Sequence, residues 1–330
     1  MKKLIAALLF IFVVNVPNLY SQEDYEEGEN PPDAVLIGSL KTKWEINTEN
    51  GKMRFEVRNA RFGTRGSLNK YLSYRAEVDL SDEGKIKMLD AYIKFTPITN
   101  LDIYLGQRKV PFGSDYMRNP VQNMFANRSF VAKYVNNGLR DIGFAASYKF
   151  NCKIPIELWG SIMNGTGGNN PEWIVKPNYS MRLLVTPLKN FRVVANLYQG
   201  NTIFEQDLFM VGGELRYKSQ RLLIEMEYLE RSYNDTTAIK IHQDAFYIHS
   251  LYHFPINTKI FKYINPLIRY DYMGSKLYET INAERITAGV NLGLFPTQFL
   301  GEIRLNYEKY LNGYLPIHFD KFTVEFVLSF

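Results

Sequence analysis

Cysteine is nearly absent from this 330-residue chain. Cys152 stands alone, so no internal disulfide can form, and it reads as an incidental turn residue. Histidine is scarce too: His242, His249, His253 and His318 are all there are, and none sits in a recognisable serine or aspartate context for nucleophilic catalysis. An enzyme is not expected. Past the N-terminus there is no long apolar run, which excludes a bundle of membrane-spanning helices. Basic residues are spread singly and form no patch, which argues against nucleic acid as a partner. No cofactor motif occurs. Gly165 to Asn170 is glycine-rich but lacks the Lys-Ser/Thr and helix of a phosphate-cradling loop, so it reads as an outer loop. His249 and His253 share a strand face, but two histidines without further ligands make no metal site.

What the chain has in quantity is aromatic: 23 Tyr and 22 Phe make up most of a 15% aromatic share. Yet mean hydropathy is only -0.24. An aromatic-rich but net hydrophilic chain fits a β-barrel in an outer membrane.

The N-terminus reads as a separate element. Lys2 and Lys3 precede the apolar stretch Leu4 to Val14, and Ser21 offers a small residue for cleavage, so residues 1–21 are expected to be a secretory signal peptide. No cysteine follows that stretch, which argues against a lipoprotein. Residues 22–33 hold six acids and no base, and are expected to form a short acidic periplasmic lead-in. The remainder, 34–330, carries 37 bases against 28 acids, a charge of +9. It is expected to be the barrel, with an anion-leaning interior.

From residue 34 onward the pattern has period two. Phe322, Val324, Phe326, Leu328 and Phe330 alternate with Lys321, Thr323, Glu325, Val327 and Ser329. Ile303, Leu305 and Tyr307 oppose Glu302, Arg304, Asn306 and Glu308, while Ile224, Met226 and Tyr228 oppose Glu225 and Glu227. In a bilayer a lipid-facing Arg or Lys costs about 2–4 kcal/mol at the midplane, so charges kept to one parity suit a spanning barrel. Sixteen strands are predicted, near 34–49, 52–66, 70–80, 85–95, 100–108, 139–150, 154–163, 178–186, 190–199, 207–218, 221–231, 243–254, 262–274, 283–294, 298–310 and 319–330. Connectors after even strands are mostly short, several with proline. Those after odd strands are often longer, as alternation of periplasmic turns and outer loops requires. Tyr217, Tyr228, Tyr270, Tyr272 and Tyr307 are taken as interfacial girdles.

Two segments are more specific. Gly106-Gln107-Arg108-Lys109-Val110-Pro111-Phe112-Gly113, followed by Gly138-Leu139-Arg140-Asp141-Ile142-Gly143, resembles the phosphate-selective porin O and P family of Gram-negative outer membranes. Phe55 to Phe62, Asp90 to Ile93, and Asn164-Gly165 leading to Arg182-Leu183 and Pro187 resemble further stretches of that family in the same order. The resemblance implies an all-β, sixteen-stranded transmembrane antiparallel barrel, with a third outer loop folded inward. It also implies a homotrimer in outer-membrane lipid and a lumen that passes phosphate and other small anions. The matching residues are Arg58, Arg61, Lys109, Arg128 and Arg140.

Residues 108–140 form the longest strand-poor connector. Arg108, Lys109, Arg118, Arg128, Lys133 and Arg140 stand there against a single acid, Asp115. Phe112, Met117, Val121, Met124, Phe125, Phe130, Val131 and Val135 give it more apolar surface than an exposed loop should show. Packed against the wall, its cations would attract anions in a low-dielectric passage. The anion path is therefore assigned to Arg58, Arg61, Arg108, Lys109, Arg118, Arg128, Lys133 and Arg140. A weakly to moderately anion-selective pore is expected, with phosphate or polyphosphate as candidate solutes. Arg75, Arg182, Arg192, Arg216, Arg269, Arg285 and Arg304 fall about one per strand. They read mainly as partners for Glu56, Glu77, Glu157, Glu225, Asp271 and Glu302 rather than as a ladder for anions. The rival to a channel is a structural or adhesive barrel with a closed lumen, which calls for large aromatic side chains pointing inward.

Overall fold

The computed structural model describes residues 33–82, 85–136, 139–202, 206–234, 239–256, 258–275, 283–294, 300–312 and 319–330. The signal peptide expected at 1–21 and all but Asp33 of the acidic lead-in lie outside the described residues, as do His318 and Gly138. Strand β1 is Val35–Asn47, β2 Met53–Ser67, β3 Leu72–Asp82, β4 Lys85–Ile98, β5 Leu101–Lys109, β6 Arg140–Phe150, β7 Ile156–Met163 and β8 Asn178–Leu188. Then follow β9 Phe191–Asn201, β10 Asp207–Lys218, β11 Leu222–Asn234, β12 Lys240–Tyr252 and β13 Phe254–Pro255. The last four are β14 Tyr263–Ser275, β15 Ala283–Gly293, β16 Leu300–Asn312 and β17 Lys321–Ser329.

Every pairing is antiparallel between neighbours in sequence, and β17 pairs with β1, which closes the sheet. The two-residue β13 prolongs β12, since both pair with β14. The barrel thus has the sixteen staves that the alternating pattern predicts. Closure leaves no strand edge with unpaired backbone groups, a condition for crossing hydrocarbon. No helix among the described residues is long and apolar enough to cross a membrane.

The two faces are inverted relative to a soluble protein. Glu225, Glu308, Glu325 and Thr323 are fully buried, whereas Phe326, Leu328, Ile224 and Met226 on the other parity are exposed. The polar face is the inner one. Tyr217, Tyr228 and Tyr307 stand exposed on the outer face, as girdle residues should.

Two turns on the side of the chain termini repeat one device. Pro97 and Pro187 each sit where the register slips, between Phe95 and Ile98 and between Val185 and Leu188, so neither removes a ladder hydrogen bond. Asn100 and Asn190 then take left-handed φ values of 73° and 77° to close the turn. The predicted turns at 96–100 and 186–190 are accordingly shorter than expected, because β4 and β8 continue through their prolines.

Candidate functional site

The connector 110–139, between β5 and β6, is compact. It holds one α-helical turn over Ser114–Met117, a 3-10 turn over Pro120–Gln122 and a π turn over Val131–Val135. Gly113 makes the entry with φ 73°, and a Cβ there would stand 2.3 Å from the Asn136 amide. Phe112, Phe130, Val131 and Val135 are fully buried against Met163, Tyr198, Leu208, Met210, Leu229 and Met273 of the inner wall. Apolar side chains on a barrel's inner face break the polar-in rule. They are there because the connector presents an apolar underside that needs a partner.

Asp115 organises the segment from inside. Its carboxylate accepts from the Ser129 hydroxyl at 2.6 Å and the Ser129 amide at 3.1 Å, with Arg118 and Arg128 at 3.7 and 3.9 Å. Burial alone would raise the pKa of this carboxyl. Arg128 and Arg118 outweigh that and hold it well below the usual carboxylate range.

The segment is also bonded to strands around the barrel. The Glu227 carboxylate on β11 accepts the amides of Ser114 and Asp115, at 2.5 and 3.0 Å. Arg182 on β8 donates to the Ser114 hydroxyl at 2.7 Å, and Arg118 pairs with Glu225. On the far side Arg269, Arg285 and Arg304 donate to the carbonyls of Asn127, Arg128 and Val121, at 3.1, 2.9 and 2.8 Å. Lys41 of β1 reaches the Pro120 carbonyl, and Asn306 accepts the Ala126 amide at 2.7 Å. Of these wall residues, sequence reading treated the arginines as partners for acids. That they hold backbone carbonyls of a distant connector carried no local signal.

The predicted anion-path residues take different roles. Lys109 is buried, and its Nζ donates to the carbonyls of Tyr116 and Arg118 at 2.7 and 2.6 Å. Arg128 donates to the carbonyls of Asp115 and Arg118. Arg61 pairs with Asp79 at 3.1 Å, and Arg140 with Asp90 at 2.8 Å. Arg58 is the extra residue of a bulge opposite β1, half exposed and 3.7 Å from Glu56. Lys133 is exposed beside the Tyr134 ring. Arg108 is buried over the Tyr104 ring, 3.9 Å from its centroid. Connector and site residues therefore meet only in part: Lys109, Arg118 and Arg128 form one cluster, and Arg58, Arg61 and Arg140 lie on the neighbouring wall.

The arginines set against an anion ladder do pair. Arg75 meets Glu77, Arg192 meets Glu214, Arg216 meets Glu225, Arg269 meets Asp271, Arg285 meets Asp271 and Glu308, and Arg304 meets Glu302 and Glu325. Arg182 has no carboxylate within 4 Å among the described residues, and bonds Asn196 at 2.8 Å instead. His249 is buried in the inner wall, and His253 bonds Asn265 at 2.8 Å. The wall also carries Tyr92, Tyr104, Trp159, Tyr198 and Tyr247 inward, more ring surface than the polar parity led one to expect.

Residues 44–190 match the family model for phosphate-selective porin O and P. No curated protein matches the chain in sequence. Among solved structures, the chain is similar to the trimer form of OmpT, an outer membrane protein of Vibrio cholerae, with TM-score 0.66 and 12% identity over 91% of this chain and 100% of that one. It is similar to the anion-selective porin from Comamonas acidovorans, with TM-score 0.61 and 12% identity over 90% and 99%. The outer membrane channel DcaP of Acinetobacter baumannii gives TM-score 0.60 and 12% identity over 93% and 99%. A closed sixteen-stave barrel with an apolar outside, similar over residues 44–190 to the phosphate-selective porin O and P family through the stretch that holds the Gly106 and Arg140 motifs, places the chain in the Gram-negative outer membrane as a porin-type channel.

Proposed function

We propose that the chain forms a water-filled, weakly to moderately anion-selective pore for small solutes, phosphate or polyphosphate among them. In this reading, connector 110–139 is the third outer loop, folded inward to narrow the passage. Residues 1–21 are then a cleaved signal peptide and 22–33 a periplasmic lead-in. The observation that carries the reading is charge left over after pairing. Arg108, Lys109 and Arg182 are buried on or beside the connector, with no carboxylate within 4 Å among the described residues. Cations held by carbonyls, amides or rings keep their field, whereas those in ion pairs largely cancel it. The eight candidates Arg58, Arg61, Arg108, Lys109, Arg118, Arg128, Lys133 and Arg140 thus divide into free, structural and paired groups, and selectivity rests on the first.

A homotrimer is the proposed assembly, in line with the trimer form of the similar Vibrio cholerae protein. No catalytic role is proposed. The test is the reversal potential of the purified protein in a planar bilayer under a potassium chloride gradient. A chloride-favouring potential is expected. A cation-favouring one overturns the anion reading, and a barrel with no conductance favours the structural or adhesive alternative, which the inward rings and buried connector would then explain.

A further inference from the structure

On the inner wall, at the termini side of the connector, β1 to β5 enclose a recess of about 440 Å³. Its composition follows from register. Arg65 of β2 faces Arg75 of β3, which faces Tyr92 of β4. In the next row Ser67 faces Ser73, Ser73 faces Lys94, and Lys94 faces Tyr104 of β5. Cations thus line one half and rings the other, and Asp33, whose carboxylate is engaged by the Ser67 amide, stands at the rim with Val35.

The ring half is continuous. Tyr104 stacks on Trp159 with centroids 5.5 Å apart and an interplanar angle of 23°, and Tyr92 meets Tyr104 edge-on at 5.5 Å. Arg108 closes it on the connector side, 3.9 Å above Tyr104 and 5.0 Å from Trp159. Two of its guanidinium nitrogens, Nε and Nη1, are buried without a hydrogen-bond partner. Those nitrogens face the rings of Tyr92, Tyr104 and Trp159, so Arg108 fixes the ring row in place and leaves the recess to Arg65. In the cation half, Arg75 is paired with Glu77 and Lys94 lies 3.6 Å from Asp102. Arg65 has no carboxylate within 4 Å among the described residues, although it lies directly across from another arginine. Like charges opposite each other destabilise a sheet unless something anionic stands between them.

The geometry points to a binding site for organic anions with a flat apolar body, aromatic carboxylates being the class it fits. The carboxylate would sit against Arg65 and the ring against Tyr92 and Tyr104. A bare inorganic anion would use the cations and leave the rings idle, while a neutral sugar would leave Arg65 uncompensated. The volume lies within the usual range of small-molecule sites, and ring stacking supplies a preference that charge alone cannot. This rests on the channel reading above.

The test compares benzoate with acetate, which share a charge and differ in the ring. Each is titrated against the chloride current of the purified protein in planar bilayers, and the half-blocking concentrations are expressed as a ratio within each variant. The wild-type chain is expected to be blocked by benzoate at a concentration at least fivefold lower than acetate. Tyr92→Leu with Tyr104→Leu should bring the ratio to about one. Arg65→Gln, at an exposed side chain that holds no other element, should weaken block by both anions severalfold and keep the ratio. Equal block of the wild-type chain by the two anions, or a ratio unchanged in the tyrosine variant, overturns the site while leaving the channel standing. Should the tyrosine variant not assemble, unchanged block by both anions in Arg65→Gln overturns the site on its own. A wild-type protein that carries no chloride current overturns the channel reading and this one with it.

Discussion

Gly38 and Phe330 exchange both of their backbone hydrogen bonds, 3.0 Å each way, and the Phe330 ring lies over the glycine, where a Cβ would be 2.2 Å from the ring. The last residue of the chain thereby seals the barrel seam one step beyond the end of β17, with a ring covering the backbone that the glycine leaves bare. Tyr263 covers Gly293 in the same way at the β14–β15 pair.

Deleting Phe330 should lower the yield of assembled, heat-modifiable barrel in the outer membrane. Gly38→Val should do the same, because the added side chain displaces the ring at a cost of about 1–3 kcal/mol. Gel mobility with and without heating measures both. An unchanged yield for the deletion would show that the seam does not depend on the ring.

Arg118→Ala should release the connector from β11. It leaves Glu225 buried without its principal cation, and breaking such a pair costs about 3–5 kcal/mol. The expected result is a lower unfolding temperature together with noisier or larger single-channel currents. Pairing it with Glu225→Gln should recover part of the stability, since the stranded charge is then gone.

Asp115 gives the connector its acid response. Its folded-state pKa lies below the ordinary value of 3.8, so its stabilisation is complete above that value and is lost only as pH falls through the folded pKa. Current noise should therefore stay flat from pH 7 to about pH 5 as far as this group is concerned. Asp115→Asn should be noisy across that whole range, because the neutral amide cannot balance Arg118 and Arg128. Equal noise in the two proteins at pH 7 would remove Asp115 from this role.

Charge reversal distinguishes a cation that contributes field alone from cations that also hold the connector. Lys133→Glu alters an exposed cation and should move the reversal potential a few millivolts toward cation selectivity, with assembly intact. Reversal at Lys109 and Arg128 should instead reduce assembled protein, because both donate to carbonyls of the connector itself. Bilayer recordings read the first and heat-modifiability the second.

The staves, their number and their facing were legible in the sequence because one parity of Phe, Leu and Ile against Glu, Arg and Thr is a local signal that repeats sixteen times. The packing of residues 112–135 was legible only as surplus apolar surface. What receives it was not, because Met163, Met210, Leu229 and Met273 sit on the parity otherwise given to charge, and their partner is a segment far away in the chain. The same distance hid the work of Arg304 and Arg285, whose targets Val121 and Arg128 lie 183 and 157 residues away. Arg108 was assigned to the anion path by charge alone. Its cage of Tyr92, Tyr104 and Trp159 is assembled from three strands and has no trace in any one of them.

Because Arg182, Arg269, Arg285 and Arg304 spend their donors partly on the connector, wall and connector cannot be exchanged separately. A chimera that keeps this barrel and imports another porin's connector would strand four buried guanidiniums at once. Recombination between such pores should therefore fail wherever a crossover parts residues 112–135 from Arg269, Arg285 and Arg304, at the proline turn near Asn190 as much as at Val110 or Leu139. In this protein the unit of inheritance is the wall with its connector.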